Sequence, residues 1–360
     1  MAFHQDNLQS KTIDALRFPM AVAVVILHHG VTLMECATGP LRSLCIIFQE
    51  GLCRLAVPCF FFISGYLFFN KLQEWSWSEW TRKIKSRGKT LLIPYLFWNL
   101  IAFFAYWAYA QAQGDGISLQ QHFQNNGGLR LFWGTNGDIP LGVRSAPCDQ
   151  PLWFIRDLML FTLFTPFIHL FLHWTKGLGV LALIAFFLAV PGIIPEGFVF
   201  YVTGSAFQMS KKNVVETLWP RRIVFYLLSV TFLIALYILF DFEYWRRLVK
   251  NLFLFCGIAA VFCATAQLLR QDRIRIRPFL ARSSFFIFAT HEILILHDFA
   301  RPIVGAVLPA RGVFWPCLEF FLTPALAVGF CLGLLFVMER LLPRTTSILT
   351  GNRKIKLSYS

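Results

Sequence analysis

The chain has 360 residues, 57% of them hydrophobic and 14% charged, with 40 phenylalanines, a mean hydropathy of +0.59 and a net charge of +14. This composition excludes a water-soluble globular domain, and apolar runs of about 20 residues, long enough to cross a hydrocarbon layer roughly 30 Å thick, recur along its whole length. The runs are continuous rather than alternating, which excludes a closed β-barrel and leaves an all-α, polytopic integral membrane protein whose cations set topology, with no nucleic-acid partner.

The opening "MAFHQDNLQSKTID" is polar and has neither a short basic leader nor a small-residue cleavage site, so the first helix is expected to stay in the mature protein. About ten transmembrane helices are expected, at 15 to 35, 51 to 70, 91 to 110, 151 to 172, 178 to 192, 196 to 210, 222 to 240, 248 to 269, 279 to 298 and 313 to 338. The fifth and sixth are short and share the turn "PGIIPEG". Placing the N-terminus in the cytoplasm gathers most of the 33 Lys and Arg on that side, so both termini are expected to be cytoplasmic. Residues 1–342 form one membrane domain, and 343–360 read as a basic cytoplasmic tail suited to anionic lipid. The widest far-side segment, "QAQGDGISLQQHFQNNGGLRLFWGTNGDIPLGVRSAPCDQ", is too long for a plain connector. Its Phe132 and Trp133 suit glycan binding, although a solvated cap has the same composition. Nine cysteines form no CxxC pair, and most lie inside apolar runs as small core residues; Cys36, Cys45 and Cys148 are the ones that could face an oxidising side. No metal site is expected.

In "RFPMAVAVVILHHG", Arg17 precedes His28 by eleven residues. On a helix that spacing leaves them within about 20° of one face and roughly 16 Å apart along the axis. A guanidinium thus stands at the cytoplasmic rim and an imidazole near mid-membrane, where a neutral histidine can take a proton near pH 7. Taken singly, Arg17 is an ordinary snorkelling residue and His28 an ordinary hydrogen-bonded bundle histidine. Further along, Trp153 and Arg156 are three apart on one helical face, a place for a sugar ring to stack on the indole while the guanidinium holds an oxygen. Arg156 and Asp157 are adjacent, point about 100° apart and do not read as a simple ion pair. His291 and Glu292 lie deep in the ninth span, where a carboxylate needs a partner or a proton.

These residues fall on five ordered motifs: "RFPMAVAVVILH", "CFFFISGYLFF", "RGKTLLIPYLFW", "PLWFIRDLMLFTLFTPF" and "SSFFIFATHEIL". Together they resemble the acyltransferase-3 family of membrane acyltransferases over nearly the whole chain, from Ile13 to about Leu342. The resemblance implies transfer of an acyl group, most often acetyl, from acetyl-CoA (acyl-CoA) as co-substrate to a hydroxyl of a carbohydrate or glycolipid acceptor, in a bacterial inner membrane. His28 would then act as general base, with Arg156, His291 and Glu292 as further catalytic groups. Arg17 and Arg87 match the family's positions for the phosphates of coenzyme A. Ser64 and Gly65 lie where a thin pantetheine arm or a neighbouring helix comes close. Trp153 and Asp157 would meet the acceptor. Where the family often carries an aromatic hydroxyl before the late histidine, this chain has Phe288. The alternative is a transporter or flippase for a lipid-linked sugar, which would show inverted repeats and broken helices in matching halves. No such halves are visible.

Overall fold

The computed structural model describes residues 2–34, 37–70, 75–134, 146–309, 312 and 314–351, with the side chains of 2–7 excepted. Cys36, the middle of the long polar segment at 135–145, and residues 352–360 of the C-terminal tail lie outside the described residues. Among the described residues the chain is helical throughout, with no strand. In lipid nothing but the helix itself can satisfy the backbone N–H and C=O groups of an isolated span.

Seven helices are long and apolar enough to cross a membrane: α1 Leu8–Met34, α2 Gly39–Phe69, α3 Trp77–Ala112, α8 Val214–Ile238, α9 Glu243–Arg270, α10 Pro278–Val307 and α11 Phe314–Leu341. A pair bent by 59°, α4 Gln150–Leu163 and α5 Thr165–Thr175, makes an eighth if the two together form one span. The two short spans expected from the sequence are α6 Leu178–Ala189 and α7 Glu196–Met209, of 12 and 14 residues. Both fall short of the roughly 20 residues that a straight crossing needs. A last helix, α12 Pro343–Leu349, buries Thr346 and Leu349, so the stretch read as a tail begins as packed structure.

The chain divides into two compact units: residues 1–80 with 161–281, and residues 81–160 with 282–360. In the first, α2 and α7 meet backbone to backbone. A side chain at Gly65 would run into the carbonyl of Tyr201, and one at Gly204 into the carbonyl of Phe62. This is small-residue packing, in which a missing Cβ lets two helices make dispersion contacts along their main chains. Phe62 extends the contact edge-on to Phe207 and Phe262, each with ring centroids 5.7 Å apart. Gln9 ties the start of α1 to Tyr66 of α2 and to the backbone N–H of Val214. By contrast, α8 keeps nearly all its apolar side chains on the outside, as a lipid-facing helix should.

In the second unit α3 is the central post. The indole N–H of Trp98 donates to the carbonyl of Leu349 at 3.0 Å, which docks α12, and its ring meets Phe286 of α10 edge-on at 5.5 Å. Arg282 of α10 binds Glu339 of α11 through two hydrogen bonds of 2.8 and 2.9 Å. A paired fork of this kind fixes direction as well as distance.

Candidate functional site

Within the second unit, one face of α3 carries Tyr95, Asn99 and Tyr106, with Ala102 between them. Eleven residues at 100° each bring Tyr106 back to within about 20° of Tyr95. Each of the three polar groups holds a different segment. The Tyr95 hydroxyl donates to the carbonyl of Phe132, the Asn99 side-chain oxygen accepts the backbone N–H of Asp149 at 3.1 Å, and the Tyr106 hydroxyl donates to the carbonyl of Glu292 at 3.2 Å. Asn99 is itself oriented by donating its amide to the carbonyl of Tyr95 at 2.8 Å. The spacing Tyr-x3-Asn-x6-Tyr inside an apolar span is the signal that could have revealed this stripe, and the motif reading passed over it.

The acceptor-side pair from the sequence is at the start of α4, and here the structure corrects the expectation. Arg156 and Asp157 are an ion pair: Nε donates to Oδ1 at 2.9 Å, and a second guanidinium nitrogen lies 2.9 Å from the same oxygen, with the side chains only 3% and 4% exposed. Neighbouring side chains do leave a helix about 100° apart, but the arginine stem is long enough to fold back, and burial makes an unpaired charge far more costly than a bent rotamer. The same guanidinium donates to the carbonyl of Trp133 and lies 5.4 Å from the centre of its ring. Arg156 therefore stacks on Trp133, while Trp153 is half-buried one turn earlier. Trp133 belongs to the long segment between α3 and α4, and this contact fastens that segment to the helix.

At α10 the late histidine segment is broken. His291 is fully buried with Nδ1 2.9 Å from the carbonyl of Ile287; since a carbonyl only accepts, Nδ1 carries a proton. Helical geometry then fails at Ile293 (φ −72°, ψ 85°) and Leu294 (φ 59°, ψ −8°). Leu294 is a bulky residue in the left-handed region, which stores backbone strain. The break turns the chain so that Glu292, mostly buried, lies 3.5 Å from His297 beyond it, which supplies the carboxylate with a partner. The Glu292 carbonyl is the one that Tyr106 holds, so a backbone group next to the break is satisfied from α3.

The remaining candidates are on other elements. In the first unit α1 runs unbroken through Pro19, so Arg17 and His28 do share one helix, as their spacing requires. Arg17 is partly exposed and pairs with Asp14 one turn earlier at 3.1 Å. His28 is half-buried, whereas its neighbour His29 is fully buried. Ser64 is half-buried on α2 beside Gly65, which occupies the close crossing with α7. Arg87, half-buried near the start of α3, belongs to the second unit.

A model of an acyltransferase domain matches residues 10–340 of the sequence. The chain belongs to the acyltransferase-3 family. A curated relative is the succinoglycan biosynthesis protein ExoH of Rhizobium meliloti (strain 1021), 27% identical over 327 residues, covering 88% of this chain and 84% of that one. No solved structure matches. Family membership makes the protein a membrane O-acyltransferase and removes the transporter alternative. Its match embraces both units and every candidate residue from Arg17 to Glu292.

Proposed function

We propose that this acyltransferase moves an acyl group, acetyl foremost, from acyl-CoA to a hydroxyl of a cell-surface or lipid-linked carbohydrate at the bacterial inner membrane, with both termini in the cytoplasm. The family match across residues 10–340 carries the reading. A polysaccharide acceptor is supported by the relative's role as a succinoglycan biosynthesis protein.

The chemistry needs a base, because an alcohol is a poor nucleophile toward a thioester. His28 takes the hydroxyl proton as the oxygen attacks the thioester carbonyl; the C–O bond forms, the C–S bond breaks, and the protonated imidazole returns the proton to the departing thiolate of coenzyme A. Arg17 and Arg87 hold the cofactor's phosphates. Trp153 offers a ring for the sugar. Arg156, committed to Asp157 and Trp133, acts as a positioning residue for the far-side segment. His291 and Glu292 serve proton movement in the second unit.

The test is purified protein in lipid nanodiscs with radiolabelled acetyl-CoA or succinyl-CoA and surface polysaccharide from the producing bacterium. Label is expected in alkali-labile ester on the glycan and is expected to vanish with His28→Ala. Full ester formation by that variant removes His28 as the base, and label from neither donor in any glycan removes the reading itself.

A further inference from the structure

Asp149 stands immediately before α4, where an aspartate ordinarily turns its carboxylate onto the first free N–H groups of the helix. It does not do so here: its side chain makes no capping hydrogen bond. The residue is 0% exposed, and neither carboxyl oxygen meets a hydrogen-bond partner among the described residues. Its position is nevertheless fixed, because the backbone N–H is held by Asn99, itself 0% exposed and oriented by Tyr95. A buried carboxyl with two unused oxygens is costly, and such groups in native proteins call for an explanation.

Its surroundings narrow the explanation. Arg156, seven residues further along the chain in α4, is engaged by Asp157 and Trp133. Glu292 of α10 is close enough to act on Asp149 electrostatically, and its sign is the same. An anionic ligand is therefore disfavoured, and a neutral ligand rich in hydroxyls is favoured, since each hydroxyl can both donate and accept. Trp133, Tyr95 and Tyr106 around the same stretch are of the type that carries sugar rings.

We infer that Asp149 is a contact for the acceptor, its carboxyl taking two hydroxyls of a polyhydroxylated ring, donating to one and accepting from the other. This rests on the reading of the acceptor as a carbohydrate. Burial first, and Glu292 second, push that carboxyl well above the usual carboxylate range. A protonated carboxyl has a donor that a carboxylate lacks.

Wild-type protein, Asp149→Asn and Asp149→Ala in nanodiscs are titrated with the methyl glycosides of glucose, galactose and mannose and followed by infrared difference spectroscopy in the protonated-carboxyl region. A C=O band that shifts on glycoside addition, and is missing in Asp149→Asn, is the expected result. No shift with any of the three overturns the assignment. In kinetics with the glycan acceptor, Asp149→Ala is expected to raise the acceptor KM about tenfold or more, the loss of two neutral hydrogen bonds, with the acyl-CoA KM unmoved and Asp149→Asn recovering most of the difference. Equal changes in both KM values accompanied by a lower melting temperature mean a structural role and sink the proposal. A glycoside-dependent band in a protein that transfers no acyl group keeps Asp149 as a sugar contact while the functional reading fails.

Discussion

Asn99 accepts the backbone N–H of Asp149 at 3.1 Å while donating its own amide to the carbonyl of Tyr95, so one buried side chain fixes where the segment between α3 and α4 enters α4. Replacing it by leucine, of similar volume, leaves that N–H buried and unbonded. The expected cost is about 1–3 kcal/mol, read as a lower melting temperature in detergent, together with loss of acyl transfer. Unchanged melting and activity would show that the anchor is dispensable.

Asp149 itself is expected to cost stability. Its carboxyl is raised in the folded protein, by burial and then by Glu292, while an unfolded aspartate titrates near 3.9. Below about pH 3.9 both states are protonated and nothing is lost; as pH rises from there toward the folded value, only the unfolded state sheds its proton, and stability falls. Asp149→Asn should therefore melt like wild type in acid and increasingly above it as pH rises to neutral. A constant offset across the range would contradict this.

The Arg156–Asp157 pair sets a second expectation. Lysine cannot supply two nitrogens to one carboxylate while reaching the carbonyl of Trp133 and stacking on its ring. Arg156→Lys is expected to lose about 2–4 kcal/mol of stability, and to expose the segment carrying Trp133 to added protease. Wild-type protection in this variant would remove the fastening role.

Gly65 separates two readings of the "ISGY" stretch. Gly65→Ala places a methyl against the carbonyl of Tyr201, an overpacking expected to cost about 1–3 kcal/mol, whereas Ser64→Ala should be nearly silent in melting. If Gly65→Ala melts normally but binds acyl-CoA poorly, the glycine serves the donor rather than the crossing.

Arg17 and Asp14 allow the donor reading to be tested in the first unit. Arg17→Ala is expected to raise the acyl-CoA KM about tenfold, the loss of one charge-assisted contact, whereas Asp14→Asn leaves it within about threefold. Matching changes in the two variants would mean that the ion pair, not a phosphate contact, is what Arg17 provides.

The sequence made the helices legible because lipid imposes one requirement on long apolar runs, and the expected ten correspond to seven full spans, one bent pair and two short helices. It also put Arg17 and His28 on one continuous helix. What it hid has identifiable causes. The break after Glu292 occurs in "ILILHDF", without a glycine or proline to announce it. Nothing local in the sequence tells that Asp149, immediately before α4, is buried without capping the helix. The Arg156–Asp157 pair depended on rotamers, which angular spacing along a helix does not determine.

The close crossing of α2 and α7 also constrains how the molecule is made. Its two halves are separated by more than a hundred residues, because the chain leaves the first unit after Trp80 and re-enters it at Phe161. The glycine face of α2 thus waits in the bilayer, uncovered, while the ribosome delivers the intervening segments. A nascent chain released before α7 emerges would present that bare groove to lipid and to the quality-control proteases of the membrane, since the crossing cannot form until the chain has been made past residue 209.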